Sequence, residues 1–227
     1  MRIVSAEERL RETRGAKVLL LGPPGVGKTW QARTTDPKRS LIVDAEAGDQ
    51  SILDFPIPTA RVDDWIDVRD VICRISGPNK SFPSSAPYSQ THYEAVGGAW
   101  PQPCDTVIFD SITHASRFCF RFAEQQPEAY SSSGRRDLRG VYGVVAREML
   151  LALYQLQQAR TKNVVLIGVL ERHVDDFNHA TWQLQCEGSK TGRELPGIVD
   201  QVISYQFLDF GDGNPPTRGF VCQSPNP

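Results

Sequence analysis

The 227-residue chain contains no apolar run near the ~20 residues that a membrane-spanning helix needs. Its opening stretch, residues 1–15, is charged from Glu7 onward and lacks the apolar centre of a secretory signal. A cytoplasmic protein without membrane association is expected. Cysteine is scarce: Cys73, Cys104, Cys119, Cys186 and Cys222 form no C-x-x-C pair, and their odd number argues against a disulfide framework or a zinc site. Most of them read as buried, reduced packing residues. A basic excess is missing too, with 25 Lys and Arg against 27 Asp and Glu for a net charge of −2, so any nucleic-acid contact must be a local patch. No internal repeat and no long low-complexity tract is present. What remains is ordinary globular composition, 40% hydrophobic and 23% charged, sufficient for one domain spanning 1–227.

Hydrophobic patterning supplies the elements. Apolar runs at 17–21, 40–44, 105–111 and 163–170 read as buried strands of a parallel sheet. Between them lie a short helix after residue 29 that must end before Pro37, and helices over 63–75, 112–125 and 141–160. Asp63 is the expected N-cap of the first of these three. Residues 6–14 form a short polar helix. The Pro-, Gly- and Ser-rich stretch 76–104 reads as a long surface insertion without a core element. Residues 171–197 look polar and loop-like, and 200–222 reads as a β-hairpin turning at Gly211–Asn214. Strands alternating with helices imply an α/β domain, a mostly parallel sheet flanked by helices, with a C-terminal hairpin.

One motif is specific. Residues 22–29, "GPPGVGKT", follow a buried strand and open a helix, as a phosphate-cradling loop must. Gly22, Pro23, Pro24, Gly25, Val26, Gly27, Lys28 and Thr29, with Trp30 behind them, form the expected nucleotide site. Lys28 suits the β- and γ-phosphates, and Thr29 suits Mg²⁺. ATP and Mg²⁺ are the implied cofactors. In "TVIFDS" four apolar residues lead into Asp110, the pattern of a magnesium-orienting carboxylate.

Ser111 follows Asp110, where many ATPases carry a catalytic glutamate, so the water-activating base must come from elsewhere. Strand 40–44 is expected beside the phosphate-loop strand, opening onto the same crevice. It runs into "DAEAG", and Glu46 is the candidate base, catalytic together with Lys28. Asp44 would support the metal shell or cap the turn, and Gly48 would let the loop bend away.

"GPPGVGKT", "LIVDAEAG" and "TVIFDS", in this order and spacing, resemble the RecA-like P-loop NTPase core. More closely, the chain is similar to phage-encoded RecA-like ATP-binding proteins, including single-strand annealing ATPases of phage recombination. The segments "YSQTHYEAVGG", "GSKTGRELPGIVDQVI" and "RGFVCQSPNP" carry the same likeness over roughly 15–227. The resemblance implies Lys28 and Thr29 as phosphate and magnesium contacts, Glu46 as base and Asp110 as the second-motif acid. It implies DNA-binding loops at 125–143 and 171–190, and assembly into a homo-oligomer through the ATP site. It departs at the end of the fourth core strand, where Val169 and Leu170 stand in place of a polar sensor and only Glu171 or Arg172 is available. The polymerisation domain of the recombinases has no counterpart, and a short basic tail would be expected after Pro227.

Arg135, Arg136 and Arg139, with Tyr130 and Tyr142, combine phosphate-matching cations with stacking rings and are the candidate single-stranded DNA contacts. The bland alternative is a solvated loop beside an ordinary helix start. Lys190 and Arg193 on a glycine-flanked segment are candidates to reach a neighbouring subunit's γ-phosphate, or else mere surface. His173, His179, Asp175 and Asp176 fit no familiar metal-ligand spacing. Phe118 and Phe122 read as core. The expected activity is ATP hydrolysis, slow or partner-stimulated, in recombination or annealing of DNA. An ATPase acting on a protein, as a helicase loader or assembly factor, is the alternative, and a small-molecule kinase ranks below it.

Overall fold

The computed structural model describes residues 3–174, 178, 180–211 and 213–222. In chain order it contains α1 (Ala6–Arg11), β1 (Lys17–Gly22), β2 (Ser40–Asp44), β3 (Thr59–Arg61), α2 (Trp65–Ser76), α3 (Gln90–Ala95), β4 (Thr106–Asp110), α4 (Ile112–Ala123), α5 (Leu138–Gln157), β5 (Asn163–Val174), β6 (Ala180–Leu184), α6 (Ser189–Ile198), β7 (Gln201–Leu208) and β8 (Thr217–Val221). The sheet runs β3-β2-β4-β5-β1-β7-β8, with β6 added to the far end of β5. The pairings among β1, β2, β3, β4, β5 and β7 are all parallel, whereas β6 and β8 return antiparallel. This is the expected α/β P-loop core with its C-terminal hairpin.

Side-chain alternation gives the sheet two apolar faces. Leu19, Leu21, Leu41, Val43, Val107 and Phe109 pack against α2, α4 and α5. Leu20, Ile42, Ile108 and Ile167 pack on the opposite face with Val26, Ala32, Ile52 and Tyr205. The helix after the phosphate loop, Thr29–Thr34, is a six-residue 3-10 turn. The hydroxyls of Thr34 and Thr35 take the carbonyls of Gln31 and Ala32 at 2.7 and 2.8 Å and close it.

Several expectations need correction. β2 does not lie beside β1: β5 and β7 occupy both edges of β1, while β2 pairs with β4 and β3. Every central strand is apolar on both faces, so neighbour choice is a tertiary property that strand composition does not encode. The N-cap of α2 is Asp64, whose side chain accepts the Asp67 N–H at 2.9 Å. Residues 76–104 are more than a surface insertion. Tyr88 is fully buried, and α3 is tied to α2 by His92 Nε2 on Asp70 at 2.8 Å. Its apolar residues are too widely spaced to show a period.

Residues 171–197 are largely ordered. β5 runs on to Val174 and pairs with β6, Arg172 opposite Trp182, and α6 follows. The two-stranded extension is mostly exposed, so no apolar alternation marks it, and Pro196 with two glycines disguises α6.

A buried acid links α2 to α5. Glu148 on α5 accepts from Trp65 Nε1 at 3.1 Å and from Arg69 at 3.5 Å. Glu148→Ala strands an indole N–H and a largely buried guanidinium, a loss of about 2–4 kcal/mol in urea unfolding. A loss below about 0.5 kcal/mol, the scale of an ordinary surface change, would contradict this role.

Candidate nucleotide-hydrolysis site

The phosphate loop leaves the sheet at Gly22, where a Cβ would lie 2.3 Å from the Tyr205 carbonyl oxygen, so only glycine lets β1 and β7 approach there. Gly27 has φ +99°, turning the backbone toward the anion site. Lys28 is buried, with Nζ on the carbonyls of Gly22 and Pro23 at 2.9 and 3.0 Å. Burial pushes its pKa down, while the charges of Asp110 and Glu46 pull it back up.

Thr29 Oγ1 donates to Asp110 Oδ2 at 2.5 Å. Asp110 is buried, and that burial raises its carboxyl to about 6. The neighbouring Glu46 and Asp44 add to the rise; the Thr29 bond and Lys28 oppose it. Two adjoining hard oxygen donors, one a carboxylate too desolvated to carry its charge easily, fit Mg²⁺. Bound there, Mg²⁺ would supply positive charge to the phosphate oxygens.

Glu46 reaches this site by a route the sequence does not reveal. Asp44 stands opposite Asp110 in the β2–β4 register, and Ala45 N–H donates to the Asp110 carbonyl at 2.7 Å. Asp44 Oδ1 then caps the turn by accepting from the N–H groups of Glu46 and Gly48 at 3.1 and 3.3 Å. The bend itself falls on Ala47, at φ +53°, and not on Gly48. Glu46 Oε1 accepts from Ser111 Oγ and, at 2.8 Å, faces His114 Nδ1.

Sequence reading missed Ser111 and His114 as partners of Glu46. The Ser111 hydroxyl also caps α4, accepting from His114 N–H at 3.2 Å, and an N-cap pattern was the available signal. It also missed β8. Arg218 Nη1, Tyr205 Cε1 and Trp30 Cβ each lie 3.9 Å from where a Cβ of Gly27 would stand, and Tyr205 stacks on Phe220. No local pattern announces a side chain that arrives from a distant hairpin.

Residues 14–223 match the family described as AAA domain. The chain belongs to that family. No curated protein matches it. Among solved structures, a KaiC-like protein from the hyperthermophilic archaeon Pyrococcus horikoshii OT3 is similar at 13% identity and a TM-score of 0.44, over 92% of this chain and 79% of that one. The family match supports a nucleotide-binding ATPase domain of AAA type, and no helix among its described residues is long and apolar enough to cross a membrane.

In this AAA domain the described contacts of the remaining candidates are with residues outside the phosphate loop. Arg136 forms an ion pair with Glu124 and bridges Tyr130, and the Ser131 N–H closes the turn on the Arg135 carbonyl at 2.8 Å. Arg139 and Tyr142 belong to the first turns of α5, not to a loop. Tyr142 packs on Phe120 and lies 4.0 Å from where a Cβ of Gly188 would stand, so the two candidate DNA segments meet there. Lys190 pairs with Glu194 at 3.7 Å. Arg193, with Glu171 and Trp182, lines a cavity of about 900 Å³ against Leu19 and Leu21, on the sheet face opposite the Thr29–Thr34 turn. His173 and Arg172 project on the β5 extension, whereas Asp175, Asp176 and His179 lie outside the described residues.

Folding lifts the Asp110 carboxyl from 3.8 to about 6. Below its unfolded value both states are protonated and the shift costs nothing; stability is lost as pH rises through about 6. Asp110→Asn keeps an acceptor for Thr29 and removes the charge. It should stabilise the nucleotide-free protein at pH 7.5 by on the order of 2 kcal/mol and leave it nearly unchanged at pH 3.5. Equal shifts at both pH values in thermal unfolding would contradict a desolvated carboxylate.

Proposed function

We propose that this chain is a Mg²⁺-dependent ATPase of RecA-like type that acts on single-stranded DNA, in recombination or annealing of the phage kind that its motifs resemble. The observation that carries the hydrolytic part is the placement of Glu46. Its Oε1 is anchored by Ser111 and His114, beside a phosphate loop whose lysine and threonine face Asp110. ATP phosphates lie on the backbone of residues 22–29, with Lys28 at the γ-phosphate. Glu46 Oε2 takes a proton from water as the water oxygen bonds to the γ-phosphorus. The bond from that phosphorus to the β-phosphate oxygen breaks, and ADP and phosphate leave.

DNA enters as the partner because Arg135, Arg139, Tyr130 and Tyr142 are exposed or half-exposed on one segment, and because that segment meets 171–190 at Gly188. The described contacts of Lys190 and Arg193 are with Glu194 and the Ser189 carbonyl, outside the phosphate loop, which suits delivery to a neighbour in a homo-oligomer.

Steady-state hydrolysis with and without a single-stranded oligonucleotide tests the reading. Glu46→Gln should lower kcat by about 10²–10⁴-fold while ATP still binds. Arg135→Ala with Arg136→Ala should abolish DNA stimulation and spare basal turnover. Turnover indifferent to DNA in the unaltered protein would move the partner to a protein. In a separate assay, Lys190→Ala or Arg193→Ala should lower turnover with ATP affinity kept; unchanged turnover would reject the trans role.

A further inference from the structure

Glu46 is the first member of a chain of side chains. Its carboxylate faces His114 Nδ1 at 2.8 Å, His114 Nε2 faces Arg117 Nη1 at 3.3 Å, and Arg117 Nη2 donates to Gln185 Oε1 at 3.3 Å. Their hydrogen-bonding roles are constrained. An ionised carboxylate only accepts, so Nδ1 carries a proton. A guanidinium only donates, so Nε2 carries none. The imidazole is thereby fixed as the neutral Nδ1–H form, by a carboxylate on one side and an arginine on the other.

The same two turns of α4 are fastened to β5 and to the segment between β6 and α6. Thr113 Oγ1 accepts the Val169 N–H at 3.0 Å, and Ser116 Oγ accepts the Glu187 N–H at 3.0 Å. His114 therefore sits on a braced surface, half-exposed, with its ring directed at Glu46. Both described donors to Glu46, Ser111 and His114, engage Oε1, which leaves Oε2 as the oxygen for a water.

The geometry points to His114 as a positioning residue for hydrolysis: it holds the Glu46 carboxylate with Oε2 free, and Arg117, steadied by Gln185, selects the tautomer able to do so. The inference rests on Glu46 as the base. His114 touches no reacting atom. A general base acts only within hydrogen-bond reach of its water, and a displacement of about 1 Å can cost on the order of a hundredfold in rate.

The first test is steady-state ATP hydrolysis. His114→Ala should lower kcat by about ten- to a hundredfold with KM for ATP within about twofold, since the ground-state contacts to ATP are untouched. His114→Asn, whose amide nitrogen stands near Nδ1, should recover much of the loss. Turnover in His114→Ala equal to or above the unaltered protein overturns the inference. Glu46→Gln run in parallel separates the two failures. If Glu46→Gln is inactive and His114→Ala is not impaired, only the positioning role falls; if Glu46→Gln stays active, the base assignment falls and takes the positioning role with it.

The second test reads the tautomer. In ¹⁵N spectra of histidine side chains, His114 of the intact protein should show Nδ1–H, held from both sides. Glu46→Gln removes the carboxylate constraint, so there the ring should keep Nδ1–H while Arg117 is present and gain Nε2–H when Arg117→Ala is added. An Nε2–H ring in the unaltered protein, or the same tautomer in Glu46→Gln with and without Arg117→Ala, overturns the role given to Arg117.

Discussion

The site depends on one parallel strand pairing. β2 lies against β4 with Asp44 opposite Asp110, and a further backbone bond carries the pairing past the strand end to Ala45. That register places the turn after β2 over the N-cap of α4. A slip of one residue would exchange the two faces of β2, sending Leu41 and Val43 toward the core that now holds Ile42 and removing Glu46 from Ser111 and His114. The phosphate loop, the magnesium-type carboxylate and the candidate base come from three strands, and β4 joins the last two.

The second organising feature is electrostatic. Asp110, Asp44 and Lys28 are all buried, and the charges of Asp44 and Lys28 both act on Asp110. Burial lifts the Asp110 carboxyl and depresses the Lys28 ammonium, so each is held in an environment that disfavours its charge. A polyphosphate with a divalent cation supplies partners for both signs at once. Such preorganisation trades stability of the empty protein for affinity toward one ligand chemistry.

Much of this was legible in the residues. The phosphate loop and the strand ending in Asp110 carry local signatures with a mechanism, and both lie where they were expected. Glu46 also reaches the crevice, but for a different reason: strand 40–44 was expected beside the phosphate-loop strand, whereas β4 and β5 stand between the two and β4 holds it. Strand order is set by long-range packing among strands of nearly identical composition. The β5 extension, β6 and α6 were hidden for local reasons, since exposed ribbons show no alternation and a helix containing Pro196 reads as a loop. His114, Arg117 and Arg218 could not have been singled out, because each acquires its meaning only from a residue distant in the chain.

The most direct measurement of the hydrolytic assignment is a crystal structure of the protein with Mg²⁺ and a non-hydrolysable ATP analogue. The expected result is a water between Glu46 Oε2 and the γ-phosphate, in line with the bond to be broken, with Oε1 still on Ser111 and His114. A Glu46 carboxylate turned away from the phosphates, with the in-line water held by another side chain, would contradict it.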